Sequence, residues 1–254
     1  MTDLAKRTWP EAQALFGPDT VALLPIGSTE PHGPHLPLDT DVTIAHAQAE
    51  RASALMREAG VTTMLLPSLP YGLTEFTAGF PGAVSLRPGT LWAILEDIIT
   101  SLEDQGVRRI VFCNAHLEPD HVAVIRGVIL DHAQLGERTA QAIFPDNTRR
   151  RWAQTLNAEF QGGDCHAGSY ETGIVMSADP DHVRESERTA LEPVKIDLIQ
   201  KMQAGAKNFV DCGSEHAYCG DPASATSDEG HGQVERLAEM VVTSCQEAWP
   251  DLFA

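Results

Sequence analysis

Residues 21–26, Val21-Ala22-Leu23-Leu24-Pro25-Ile26, carry no charge and no polar side chain. So short and so apolar a run reads as a strand buried within a sheet, with the next segment delivered to its carboxyl end. That segment is Gly27-Ser28-Thr29-Glu30-Pro31-His32-Gly33-Pro34-His35-Leu36-Pro37-Leu38-Asp39-Thr40-Asp41. Three carboxylates and two imidazoles stand here between glycines and prolines. Such a loop could hold metal ions, and bound metals would suggest hydrolytic chemistry.

The same reading extends along the chain. Strands are expected over 20–26, 61–66, 109–113 and 140–144. Helices are expected over 42–59, 91–105, 119 to about 132, 171–177 and 234–248. Alternating strands and helices imply an α/β fold, a three-layer sandwich with a mostly parallel central sheet and helices on both faces. With 254 residues, one domain spanning 1–254 is expected. Residues 71–87 form a long Gly/Pro-punctuated loop, and such loops are often functional. Residues 213–231 are polar and Gly-rich and read as a surface loop or lid, in which Glu215, His216 and His231 could line a pocket or simply meet solvent.

Charge and composition remove several classes of partner. The chain has 18 Lys+Arg against 36 Asp+Glu, a formal net charge of −18, which argues against nucleic acid and anionic membranes. No apolar run approaches the ~18 residues of a membrane span. The first ten residues lack the apolar core and cleavage site of a secretory signal. Five cysteines without CxxC spacing suit reduced thiols in the cytoplasm. GxSxG, GxGxxG and GxxxxGK[ST] are absent, which leaves a serine-hydrolase elbow and nucleotide binding without support.

In open α/β sheets, ligands bind outside the carboxyl ends of the strands. Two candidate motifs fall there. Glu30 and His32 are two apart, so both can face one cavity from an extended segment, and Asp41 comes after them, where a carboxylate can bridge two cations. His116 and Glu118 repeat the two-apart arrangement after the third strand. This set is too rich in carboxylates for a closed structural zinc site and suits a two-metal hydrolytic centre. In a third cluster, residues 164–173, His166 could move protons and Glu171 could be a ligand or orient one. Each residue also has a structural reading: His32, His35 and His166 as satisfied histidines, Asp41 as a helix cap, Glu118 as a carboxylate at a helix N-terminus.

These motifs, in this order, resemble the creatininase (creatinine amidohydrolase) family. The matching pieces are residues 24–38 with Thr40-Asp41, Gly79-Phe80-Pro81-Gly82 with Ser85-Leu86, Asn114-Ala115-His116, and His166-Ala167-Gly168 with Glu171-Thr172. The resemblance implies a binuclear centre with Glu30, His32, Asp41 and His116 as ligands and Asp41 bridging. It adds Glu118 as a ligand glutamate of true creatininases, Glu171 at the second metal and His166 in proton transfer. The catalytic residues it implies are thus His166 and Glu118. It implies two divalent ions, zinc at one site and zinc, manganese or iron at the other, and a homohexamer acting on a small molecule.

The sequence also departs from the family. Thr77 stands where histidine is frequent, Ala83 replaces threonine, and Leu117 replaces the tyrosine between His and Glu. Gly162 and Gly163 occupy the region of a substrate-contacting Trp-Asp pair. The pocket is therefore expected to lack aromatic walls for a flat creatinine ring. The expected activity is metal-dependent hydrolysis of a C–N bond in an amide, lactam or formamide, other than a peptide bond and other than creatinine. A lactone or ester hydrolase and a catalytically inactive metal-dependent binding protein are the alternatives.

Overall fold

Side chains of two central strands alternate between two separate cores, and this fixes the architecture. The computed structural model describes residues 3–136 and 138–253. Its helices and strands run α1 (Trp9–Gln13), β1 (Val21–Ile26), α2 (Thr40–Glu58), β2 (Thr63–Leu65), α3 (Pro88–Asp104), β3 (Arg109–Asn114), α4 (Pro119–Gln134), β4 (Gln141–Ile143), α5 (Arg150–Ala153), α6 (Ala158–Gly162), α7 (Ser169–Ala178), α8 (Glu185–Thr189), α9 (Leu198–Gln203) and α10 (Ser227–Ala248). On β1, Ala22, Leu24 and Ile26 pack with Leu91, Leu95 and Ile99 of α3 and Ile125 and Val128 of α4. Val21 and Leu23 face the other way, onto Ala49, Ala52 and Met56 of α2 and Val241 and Cys245 of α10. Period-two alternation with both faces apolar is the signature of a sheet covered on both sides.

The sheet is parallel throughout, in the order β2-β1-β3-β4. From β1 the chain crosses to β2 on one side, and β3 then pairs on the other. The carboxyl ends of β1 and β3 thus flank the point where the strand order reverses, where a crevice opens. Register brings their ends level: Ile26 pairs with Asn114, and the Ala115 N–H donates to the Ile26 carbonyl at 3.0 Å. Pro25 is tolerated in this central strand. Its nitrogen points to the β2 side, like the Pro25 carbonyl that accepts from Leu69, and β2 has already ended at Leu65.

Two close approaches complete the frame. A Cβ on Gly27 would lie 2.5 Å from the Val42 nitrogen, so the exit of β1 lies directly on the first turn of α2. A Cβ on Gly230 would fall within the backbone of Gly173, so α10 crosses α7 at a pair of glycines.

The expected strands and long helices are all present. The terminal helix starts at Ser227, earlier than its apolar periodicity indicates, because Thr226 caps it by accepting from the Glu229 N–H. This also corrects the reading of residues 213–231 as a surface loop. Residues 227–231 are helical, and Ala217, Tyr218 and Cys219 are buried. The Ala217 carbonyl accepts from Gly33 and the Cys219 N–H donates to the His166 carbonyl, so the segment supports the site loops from below. Glu215, His216 and His231 meet solvent. The five cysteines are free and buried. Among the described residues no helix is long and apolar enough to cross a membrane.

Candidate metal centre

The loop after β1, the first turn of α2, the residues after β3 and the first turn of α7 meet at the crevice. They bring together Glu30, His32, Asp41, His116 and Glu171, each at most 4% exposed. Asp41 lies between the two histidines: Oδ1 is 3.3 Å from His32 Nε2, and Oδ2 is 3.0 Å from His116 Nδ1. Glu30 Oε1 is 3.2 Å from His116 Nδ1, and Glu171 Oε2 is 3.5 Å from His32 Nε2. Three groups with metal-ligand spacing result: Glu30–Asp41–His116 and His32–Asp41–Glu171, which share Asp41, and Glu30–His32–His166. Asp41 is not the helix cap that sequence allows; Asp39 holds that position.

Each imidazole is oriented by its other nitrogen. His32 Nδ1 donates to the Glu30 carbonyl at 3.1 Å, and His116 Nε2 donates to the Leu73 carbonyl. His32 Nε2 and His116 Nδ1 are thereby left facing the cluster, the arrangement by which backbone carbonyls fix metal-binding tautomers. His32 Nε2 and Asp41 Oδ2 are buried without a hydrogen-bond partner. Buried polar atoms are rarely left so, and cations seated among them would satisfy both.

The electrostatics agree with that need. Burial acts to raise the Glu30 carboxyl, but His116 beside it prevails and holds Glu30 down to about 2. Burial opposes charge on His32 and His116 too. The Asp41 carboxylate overcomes it at His32, raising that ring to about 10, and Glu30 and Asp41 overcome it at His116, raising it well above its ordinary value. At Glu171 burial prevails and pushes the carboxyl up to about 8. A cluster that draws protons onto its histidines is short of positive charge, which divalent cations supply.

The remaining candidates lie around this cluster. His166 stacks on Phe209 with ring centroids 4.4 Å apart and lies 4.4 Å from the His32 ring. Its Nε2 donates to the Pro31 carbonyl at 3.0 Å. Burial and the neighbouring His32 push it down to about 4, so its resting ring is neutral. Glu118 lines the same cavity but is outside the three ligand groups. Its carboxylate accepts from the Glu75 and Phe76 N–H groups at 3.2 and 3.0 Å, and burial raises its pKa. His35 is turned away and hydrogen-bonds Thr172.

Several residues were not legible as site residues. Thr74 and Thr77 both donate to Glu30 Oε2, so the threonine at 77 anchors a cluster carboxylate. His121 accepts from the Leu73 N–H and donates to Asn114 Oδ1. Their signal was position alone, on the loop 71–87 and one helical turn past His116. The expectation of a pocket without aromatic walls is corrected: Phe76, Phe160 and Phe209 line a cavity of about 500 Å³ over the cluster. Phe76 and Phe209 come from segments remote in sequence from the positions where family aromatics are missing, and Phe160 stands two residues before Gly162.

Parallel sheet, strand-end crevice and paired carboxylate–imidazole groups define an α/β protein with a candidate metal centre at its strand ends. The chain belongs to the creatininase family, whose profile, described as creatinine amidohydrolase, matches residues 5–245. It is 31% identical to a mycofactocin precursor peptide peptidase of Mycolicibacterium smegmatis, over 89% of this chain and 83% of that protein. It is also 31% identical to a creatinine amidohydrolase of Pseudomonas putida, over 69% of this chain and 71% of that protein. The solved structure named "Creatininase Mn" superposes with a TM-score of 0.75 at 23% identity, covering 98% of this chain and 99% of that one. With relatives named as peptide peptidases, the expected restriction to bonds other than peptide bonds is not retained.

Proposed function

We propose that this chain is a two-metal amidohydrolase that cleaves a C–N amide bond, peptide bonds included, in a substrate other than creatinine. One observation carries the reading: the two oxygens of Asp41 are divided between His32 and His116, with a further carboxylate on each side. In this reading Glu30, Asp41 and His116 would hold one ion and His32, Asp41 and Glu171 the other. Donors mixing carboxylate and imidazole suit zinc, manganese or iron, and the likeness in fold to "Creatininase Mn" is in keeping with that. When bound, such ions polarise a carbonyl oxygen and lower the pKa of water towards neutrality.

The chain's own residues do the rest. His166 is neutral at rest and its Nε2 is engaged by Pro31, so Nδ1 takes the proton that the attacking water gives up and passes it to the departing nitrogen. An amine leaves poorly without that proton. Glu118 lies on the cavity wall beside the cluster, where its carboxylate, held by the Glu75 and Phe76 N–H groups, faces the bound substrate. Phe209 keeps the His166 ring in plane and shields it from water. A homohexamer, on family resemblance, and a cytoplasmic location, on the five cysteines without CxxC spacing, stay part of the proposal, and light scattering tests the assembly.

The test is a panel of cyclic amides, formamides, short peptides and lactones assayed with protein reconstituted with Zn²⁺ or Mn²⁺. Cleavage of an amide, with little or none of creatinine, is expected. Loaded protein that cleaves lactones alone, or nothing, would overturn the reading.

A further inference from the structure

The cavity is much larger than the cluster at its base requires. Its volume is about 500 Å³, whereas a water molecule takes up roughly 30 Å³ of liquid. A small ring amide would leave most of it unfilled. Its wall is apolar, formed by Phe76, Leu117, Val122, Ile199, Met202 and Phe209. Ligand pockets of this kind bury the bulk of a molecule and use a few polar groups to orient it.

Apart from the imidazoles, one cation lines this cavity among the described residues: Arg126 of α4. Its guanidinium is already fixed. Nε donates to Asp146 at 2.8 Å, and Nη2 donates to Asp146 and, at 2.9 Å, to Thr148 Oγ1. Nη1 makes no hydrogen bond to any described residue. Asp146 is buried and serves a second guanidinium, Arg149 Nε at 3.1 Å. One carboxylate between two arginines leaves the group with excess positive charge, in a chain whose net charge is −18. An arginine held along one edge with donors free on another is pre-organised for a planar anion.

We infer that Arg126 is a specificity residue that pairs with a carboxylate of the substrate. The substrate is thus an acidic amide whose bulky apolar group packs on the wall between Arg126 and the carboxylate–imidazole cluster. This rests on the cavity being the active site of an amidohydrolase. It goes further in naming the two features, one apolar and one anionic, by which a substrate is chosen. Arg126 acts in recognition, and the proton transfers are left to His166.

Binding reads this separately from turnover. The probes are N-acetyl-L-phenylalanine and N-acetyl-L-phenylalaninamide, alike in shape and different in charge, titrated calorimetrically into metal-loaded wild type, Arg126→Gln and Arg126→Lys. In wild type the acid should bind at least about tenfold more tightly than the amide, as a charge-assisted hydrogen bond allows. Arg126→Gln should bring the ratio close to one while amide affinity stays within about twofold. Arg126→Lys should keep part of the preference. A ratio unchanged in Arg126→Gln would place the carboxylate elsewhere and overturn the inference, as would a wild type indifferent to charge. The wild-type comparison stands even if a variant fails to fold. Amide hydrolysis without carboxylate preference would reject Arg126 alone, whereas carboxylate preference without any amide hydrolysis would reject the catalytic reading and leave Arg126 as an anion-binding group.

Discussion

His116 and His121 are tied to the backbone of one residue: the Leu73 carbonyl accepts from His116 Nε2, and the Leu73 N–H donates to His121 Nδ1. Asn114 closes the ring, accepting from His121 Nε2 at 2.9 Å and donating to the His116 carbonyl at 2.6 Å. The Leu73 N–H can only donate and its carbonyl can only accept, so the tautomers of both rings are determined. The rings meet edge to face, 4.7 Å between centroids. His121 is therefore a positioning residue for a cluster imidazole that it does not itself join.

His121→Ala should weaken metal binding about 10–100-fold, the usual effect of losing an outer partner of a ligating histidine. It should also lower stability by about 1–3 kcal/mol, since the buried Leu73 N–H loses its acceptor. Chelator competition and urea denaturation measure the two. Unchanged metal affinity would reduce His121 to a packing role.

His166→Ala should separate chemistry from metal binding. Turnover on an amide should fall about 10²–10⁴-fold, the range for a general acid or base, with metal content as in wild type. Full turnover in a metal-replete variant would remove His166 from proton transfer.

Gly27→Ala tests the approach of β1 to α2. The added methyl meets the backbone of Asp41 and Val42 at 2.5–2.8 Å, where no side-chain rotation relieves it. A loss of about 1–3 kcal/mol is expected, as for an overpacked site, together with weaker metal binding because Asp41 is displaced. Thermal denaturation and metal titration of one preparation check both.

A pH effect on stability is expected far from the site, at Glu103. Burial acts to raise this carboxyl, but donation from the Thr139 N–H and hydroxyl and the Ala140 N–H prevails, so its pKa is lowered in the folded chain. A lowered folded-state pKa means stability that is present in full above the ordinary value near 4.5 and is lost as pH falls through the lowered one. Glu103→Gln keeps an acceptor and loses the charge. Its deficit against wild type in urea denaturation should be larger at pH 7 than at pH 3. An equal deficit at both would contradict the assignment.

How much could be read in advance depends on which forces leave a local trace. Burial on both faces does, so β1 and β3 were legible from residues 21–26 and 109–113, and the crevice followed from their order. Short helices such as α5, α6, α8 and α9 have too few turns for periodicity, and lone turns of helix are marginal without tertiary support. That support is remote: Asp164 accepts from the Ile196, Asp197 and Leu198 N–H groups, and Glu159 from Tyr170 and Asp221. The start of α10 did leave a trace, in Thr226 and Glu229 at capping-box spacing. Glu118 and Glu171 could not be ranked from sequence, because each opens a helix beside a histidine-bearing motif. In the fold Glu171 stands in a ligand group with His32 and Asp41, while Glu118 accepts from N–H groups of the loop 71–87.

The central claim is a pair of cations bridged by Asp41, and elemental analysis tests it most directly. Wild type and Asp41→Asn are purified, loaded with Zn²⁺ or Mn²⁺, freed of excess metal and compared per mole of folded chain. About two ions are expected in wild type and one or fewer in Asp41→Asn, with the circular dichroism spectrum unchanged. Wild type that retains no metal, or Asp41→Asn that retains all of it, would contradict the account.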